Sequence, residues 1–380
     1  MTVLTGIAFV VGVIALVGGA DSLVRGSARI AARTGLSPVV IGLTVVAFGT
    51  SAPELAVSIG AAVNDSSDIA LGNVVGSNIA NILLVLGLSS VAGGGLFVAF
   101  RIVRTDVPIM IGLSVALLIL GIDGSIGRLD GALFVIGLIT YITWTVITAR
   151  RESRSSADLD RDGISDSAEL AAQYTSGLEE DLSGTTPVGR DILAILAGLV
   201  LLVVGAQMLV SAATDIAEQF GVSQLVIGLT VVAIGTSLPE LATSVVAAAR
   251  GQRDLAVGNA IGSNLFNILG VVGIASLVSP MTVSDGALGF DLPFMIAVAV
   301  ACLPMFVNGF ELKRWEGFVF VGYYVAYLVW LGLDASDHGL QPAFSFTMIG
   351  FVVPLTVITL IVVGLKGLSD YRRGDISPNS

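Results

Sequence analysis

Along the chain, long apolar stretches alternate with short polar ones, and the apolar stretches are too long for an ordinary soluble core. Runs of about 18 or more apolar residues recur over the whole length, each enough to cross a bilayer as a helix. Eleven spans are predicted: 3–20, 37–62, 69–92, 107–121, 130–149, 190–212, 223–249, 255–278, 290–307, 315–333 and 343–366. The first run lacks a basic leading region and a small-residue cleavage site, so it is expected to stay as a helix rather than be removed as a signal. An acidic, polar linker at 150–189 interrupts the pattern. It separates a first membrane unit, 1–149, from a second, 190–333, and 343–366 follows as an extra helix.

The pattern is written twice. Residues 37–58 and 223–244 are identical at 17 of 22 positions. The offset of 186 runs from Gly19-Ala20 against Gly205-Ala206 through Gly72–Gly87 against Gly258–Gly273, and slips by one at Asp106 against Asp291. Each copy therefore holds five helices. Five is odd, so the second copy enters the membrane from the opposite side. The expected fold is an all-α polytopic membrane protein built from two inverted-topology five-helix repeats, with one added C-terminal transmembrane helix. Secondary transporters commonly have this architecture, with the site at the repeat interface near mid-membrane.

Charge adds an orientation. Only 12% of the 380 residues are charged, and the mean hydropathy is +0.93. With the N-terminus outside, 17 of the 18 Lys and Arg fall in inside loops and only Arg128 lies outside. The positive-inside rule thus places the linker and the C-terminus in the cytoplasm of what is expected to be a prokaryotic cell membrane. The net charge of −11 gives no basis for a nucleic-acid partner, and the acidic, lysine-poor composition suits a salty habitat. A lone Cys302 and a lone His338 leave zinc and redox chemistry unsupported.

The chemistry sits in the duplicated segments. A glutamate in mid-run is costly in a bilayer, and Glu54 and Glu240 occupy equivalent places. Pro53 and Pro239 each remove a backbone N–H beside a glycine and are expected to break the helix there. Thr50 with Glu54, and Thr236 with Glu240, share a helix face by their i, i+4 spacing. The next helix of each copy adds Ser77 with Asn81, and Ser263 with Asn267, while Gly76 and Gly262 are expected to admit a close helix neighbour. Oxygen donors without nitrogen or sulfur suit hard cations. A Gly- and Ser-rich helix can also be a packing face only, but two carboxylates without arginine in the spans favour a shared cation site. Asp106 and Asp291 stand at predicted helix starts, where the helix dipole alone accounts for them.

The paired sequences GTSAPELAVS with GNVVGSNIANILLVLG, and GTSLPELATS with GNAIGSNLFNILGVVG, resemble the two α-repeats of the cation/calcium antiporter superfamily, and most closely its prokaryotic sodium/calcium exchanger group. The resemblance implies a ten-helix exchanger core that carries Ca²⁺ and Na⁺ as transported ions, with no cofactor. It implies Glu54 and Glu240 as main ligands, with Thr50, Ser51, Ser77, Asn81, Thr236, Ser237, Ser263 and Asn267 completing the shell and Ala47 and Ala233 adding carbonyls. Many such exchangers carry Asp where Asn267 stands here. The site then offers two negative charges rather than three, which argues against assuming the usual three-sodium stoichiometry.

The expected function is Ca²⁺ export in exchange for Na⁺ by alternating access, with the lipid bilayer as surroundings and the oligomeric state open. Exchange with H⁺ is the alternative, since protons also neutralise carboxylates. A membrane-embedded hydrolase is a remote third reading, and it lacks a nucleophile–base pair or a GxSxG elbow. The linker carries one more motif. Asp158, Asp160, Asp162, Asp166 and Glu169, with Gly163, fit the twelve-residue calcium-loop pattern and form a candidate regulatory calcium site. An acidic linker produces such runs by composition alone about as readily.

Overall fold

Two features of the sequence shape the helices: their apolar length, and glycines placed where two helix backbones meet. The computed structural model describes residues 3–34, 36–64, 67–159, 187–219, 233–335 and 339–373. The candidate calcium loop beyond Leu159, the stretch 223–232 of the second repeat and His338 lie outside the described residues.

Helix α1 (Val3–Thr34) is followed by the broken pair α2 (Pro38–Thr50) and α3 (Ala52–Val63), which bend by 44° at Ser51. Then come α4 (Ile69–Gly93), α5 (Ile102–Asp123) and α6 (Arg128–Leu159). The second half holds α7 (Val188–Gln219), the short α8 (Ala233–Thr236), α9 (Leu238–Ala249), α10 (Arg253–Val278), α11 (Ala287–Val307) and α12 (Arg314–Ala335). The chain closes on α13 (Gln341–Gly367). Every predicted span has a helical counterpart among the described residues, although that of 223–249 is described only from Ala233. Several helices outrun their predicted ends. Helix α1 continues past residue 20 to Thr34 because its charged last turns find partners: Arg29 Nε lies 2.6 Å and Arg33 3.2 Å from the fully buried Asp191 of α7.

Helices α1 and α7 cross antiparallel with their backbones in contact. A Cβ on Gly19 would meet Gly198 O at 2.8 Å, and one on Gly198 would meet Gly19 O at 2.7 Å. Gly12 and Gly205 repeat the arrangement one heptad along, at 3.0 and 2.9 Å. At offset 186, Gly12 is the equivalent of Gly198, and Gly19 of Gly205. Equivalent helices therefore run in opposite directions around a pseudo-twofold axis, as the odd helix number of each repeat requires.

Four short strands show the same inversion. β1 (Leu96–Phe97) pairs antiparallel with β4 (Glu311–Leu312), and β2 (Ser125–Ile126) with β3 (Met281–Thr282). β1 and β2 lie at opposite ends of α5, so the two ribbons sit on opposite faces of the molecule. Each ribbon joins one strand from each repeat.

Helices α4 and α10 form the centre, with 78% and 83% of their spans buried, against 6% for α13. The added helix reaches the bundle along α11, where Gly364 and Gly367 face Pro304 and Val307, and along α12, where Trp330 Nε1 donates to Ser345 Oγ at 3.2 Å and the Tyr323 hydroxyl to Val352 O at 3.4 Å. Its outer face carries exposed Phe351, Leu355, Ile358 and Ile361, as expected of a helix bathed in lipid. The pseudo-symmetry is broken where α1 also lies along α9, whereas α7 makes no comparable contact with α3 among the described residues. At that place Arg250, just past α9, forms an ion pair with Asp21 of α1, and Arg25 reaches the same carboxylate at 3.0 Å.

Candidate cation site

The break between α2 and α3 places the site. Proline at the start of α3 cannot donate a backbone hydrogen bond, and Ser51 takes φ −82°, ψ 8° in place of helical angles. Ser237, before Pro239, takes φ −85°, ψ 5°. Glu54 and Glu240 therefore fall in the first turns of α3 and α9, where the positive end of each helix dipole favours a carboxylate. α3 is a 12-residue helix and rises about 18 Å. That is little over half of a hydrocarbon core of about 30 Å, so its first turn lies near mid-depth.

Both glutamates are fully buried and lie within electrostatic reach of each other. Their neighbours are exchanged between repeats. Beside Glu54 stand the hydroxyls of Ser77, from its own repeat, and Ser237, from the other. Beside Glu240 stand Ser263, from its own, and Ser51 and Thr50, from the other. Ser51 Oγ donates to Glu240 Oε1 at 3.0 Å. Neither oxygen of Glu54 has a hydrogen-bond partner among the described residues, nor does Glu240 Oε2. Buried carboxylate oxygens without donors are expensive unless a cation completes them.

A second layer holds the hydroxyls. Thr50 Oγ1 donates to Asn259 Oδ1 at 3.2 Å, and Thr236 Oγ1 to Asn73 Oδ1 at 3.3 Å. Asn73 Nδ2 donates to the backbone carbonyl of Glu54 at 3.2 Å and to Ser58 at 3.0 Å. Asn259 does the same to Glu240 at 3.4 Å and Ser244 at 2.9 Å. Asn81 and Asn267 open π-helical turns in α4 and α10 and are fully buried. Such turns often mark functional positions.

The predicted residues Thr50, Ser51, Glu54, Ser77, Asn81, Thr236, Ser237, Glu240, Ser263 and Asn267 thus occur on the two broken helices and the two central ones that flank them. Ala47 O already accepts the Ser51 N–H at 3.0 Å and the Thr50 hydroxyl at 3.4 Å. Ser237 N–H instead donates to Ile234 O at 3.1 Å, one residue beyond Ala233. Gly262 does admit a close neighbour, since a Cβ there would meet Leu43 Cα at 2.7 Å. Gly76 has no described atom within 4 Å of such a Cβ. Asp106 is more than a helix-start charge: it is fully buried and accepts the Tyr141 hydroxyl at 2.9 Å, with Arg101 3.7 Å away. Asp158 lies in the last turn of α6, while Asp160, Asp162, Asp166 and Glu169 lie outside the described residues.

Sequence reasoning did not assign Asn73, Asn78, Asn259 or Asn264, although all four stand within the duplicated motifs. Their repetition at the same offset was the available signal.

The profile of the family described as "Sodium/calcium exchanger protein" matches residues 4–147 and 191–333. The chain belongs to the sodium/calcium exchanger family. Among its relatives, it is 33% identical over 341 residues to sodium/calcium exchanger MaX1 of Methanosarcina acetivorans, covering 84% of this chain and 95% of that one. It is 36% identical over 291 residues to inner membrane protein YrbG of Escherichia coli, covering 77% of this chain and 85% of the relative. Its fold is similar to that of the sodium-calcium exchanger NCX_Mj, with a TM-score of 0.70 at 30% identity over 87% of this chain and 99% of that one. This family membership sets the hydrolase reading aside: the exchanger is an integral membrane transporter, not an enzyme.

Proposed function

We propose that this exchanger moves Ca²⁺ against Na⁺ through one site shared by the two repeats, with Glu54 and Glu240 as charged ligands and the Ser, Thr and Asn oxygens around them completing the shell. The observation that carries this reading is the pair of buried glutamates, one per repeat, with three carboxylate oxygens unpartnered among the described residues. Two carboxylates left unneutralised in low dielectric are costly, so the empty site resists switching while the loaded site does not. That asymmetry enforces exchange rather than leak.

Calcium uptake by proteoliposomes under separate Na⁺, K⁺ and H⁺ gradients tests the reading. A Na⁺ gradient should drive uptake; uptake driven by a pH gradient alone would instead favour H⁺ as the coupling ion. Export is the expected direction, since the Na⁺ gradient across a cell membrane points inward.

The charge distribution supports a cytoplasmic face at the β1–β4 ribbon and an outer face at β2–β3. Asp123, beside β2, and Lys313, beside β4, are both exposed. Single cysteines at these positions, in a Cys302→Ala background, should react with impermeant thiol reagents from opposite sides of the membrane. Labelling of both from one side would overturn the orientation and the repeat inversion together.

The pattern over Asp158–Glu169 supports a separate regulatory calcium site on the cytoplasmic side. Loops of this kind bind over a wide range, ~10⁻⁷ to 10⁻³ M. Asp158→Ala combined with Asp160→Ala should shift the calcium dependence of transport and leave the maximal flux within about twofold, because these residues are not among the ligands proposed for the transported ion. An unchanged calcium dependence would reduce the segment to an acidic linker.

A further inference from the structure

Two methionines far apart in sequence, Met110 of α5 and Met295 of α11, end two hydrogen-bonded relays that start at the site. In one relay, Asn81 Nδ2 donates to Asn264 Oδ1 at 3.2 Å, and Asn264 Nδ2 donates to Met110 Sδ at 3.3 Å. In the other, Asn267 Nδ2 donates to Asn78 Oδ1 at 3.1 Å, and Asn78 Nδ2 donates to Met295 Sδ at 3.6 Å. All six side chains are buried, and each relay crosses from one repeat to the other.

The sulfur sets the direction of each relay. A carboxamide has two ends of nearly equal shape, and only its partners decide which is oxygen. A thioether accepts a hydrogen bond and cannot donate one. The end of Asn264 that faces Met110 must therefore be its NH₂, and its oxygen must face Asn81. Asn81 meets that oxygen with its own NH₂, which leaves the Asn81 oxygen turned elsewhere. The same steps run from Met295 through Asn78 to Asn267. The result is a pair of buried amide oxygens, Asn81 Oδ1 and Asn267 Oδ1, with no partner among the described residues.

We propose that Asn78 and Asn264, each oriented by a methionine sulfur, are positioning residues that aim the Asn81 and Asn267 oxygens at the transported cation. This rests on the reading of Asn81 and Asn267 as ion ligands. It also accounts for an amide at position 267, because an ionised carboxylate there has no N–H to give the Asn78 oxygen. Groups behind metal ligands commonly orient them in this way, and their loss weakens metal sites by about 10- to 100-fold.

The test compares two substitutions at one position. Met295→Leu keeps the volume and removes the acceptor. Met295→Gln is a less natural core residue but restores an acceptor oxygen. If the sulfur acts through the relay, Met295→Leu should raise the KM for Ca²⁺ about tenfold with kcat largely kept, and Met295→Gln should recover most of that loss. A packing role predicts the reverse order, with leucine tolerated and glutamine harmful. A leucine variant with wild-type KM overturns the proposal, as does a glutamine variant no better than leucine. Met110→Leu and Met110→Gln repeat the comparison on the equivalent relay and decide it if a Met295 variant does not fold. Wild-type flux in the same vesicles tests the transport reading separately, since it needs no relay.

Discussion

Either Glu54→Gln or Glu240→Gln is expected to lower Ca²⁺ flux on the order of a hundredfold. Glutamine keeps the shape and one oxygen of the side chain but removes the charge. A divalent ion then faces one carboxylate, and a full positive charge stays uncompensated near mid-membrane. An unpaired charge at that depth costs about 2.5–3.5 kcal/mol by insertion measurements, and each 1.4 kcal/mol is about tenfold. The pseudo-twofold relation of the two residues requires that both variants fail to a similar degree. The fold itself should not suffer, because replacing a buried, poorly partnered carboxylate by an amide removes a desolvation cost. Each variant in the absence of calcium should therefore melt no lower than wild type. Half or more of the wild-type flux in either variant would rule out a single shared site.

The second large effect is expected at Gly262. This residue sits in α10, next to Ser263, at the crossing of α10 with α2. An added Cβ would stand 2.7 Å from Leu43 Cα, 2.9 Å from Leu43 O and 2.9 Å from Ala47 Cβ. Two of those three atoms are backbone, so no rotamer change relieves the overlap and the helices must separate. Gly262→Ala is expected to cost on the order of 1–3 kcal/mol in stability through overpacking. It should also weaken Ca²⁺ transport, because the same shift moves Ser263 and Asn259 away from α2 and the Thr50 hydroxyl. Gly112 is the control. It lies within α5, and no described atom comes within 4 Å of a Cβ built there. Gly112→Ala should be neutral or slightly stabilising, since alanine is the better helix former by about 1 kcal/mol. Thermal unfolding of the purified protein and calcium flux read the two effects. Equal behaviour of the two variants would show that the α2–α10 crossing adjusts to a larger residue.

Much of this exchanger was determined by local sequence. The spans follow from apolar length, because an unsatisfied backbone cannot remain in lipid. The inversion follows from an odd number of helices per copy, and the antiparallel Gly12–Gly205 and Gly19–Gly198 contacts obey it. The two glutamates stood out because a charge in an apolar run is costly wherever the chain folds. The prolines announced the broken helices, and Ser51 and Ser237 show the break at equivalent angles.

What only the tertiary structure decided is which groups meet across the pseudo-twofold axis. Ser51 serves Glu240 rather than the nearby Glu54, through a contact 189 residues apart in sequence. Asp191 takes Arg29 and Arg33, and so extends α1 well beyond its predicted end. Met110 and Met295 read as ordinary core residues in sequence, yet each accepts an amide N–H from the other repeat. Such pairings leave no periodic trace, because they depend on the relative placement of two helices and not on spacing within either one. A membrane chain settles its spans locally, from the energy of transfer into lipid, and acquires its site only when the two repeats pack against each other.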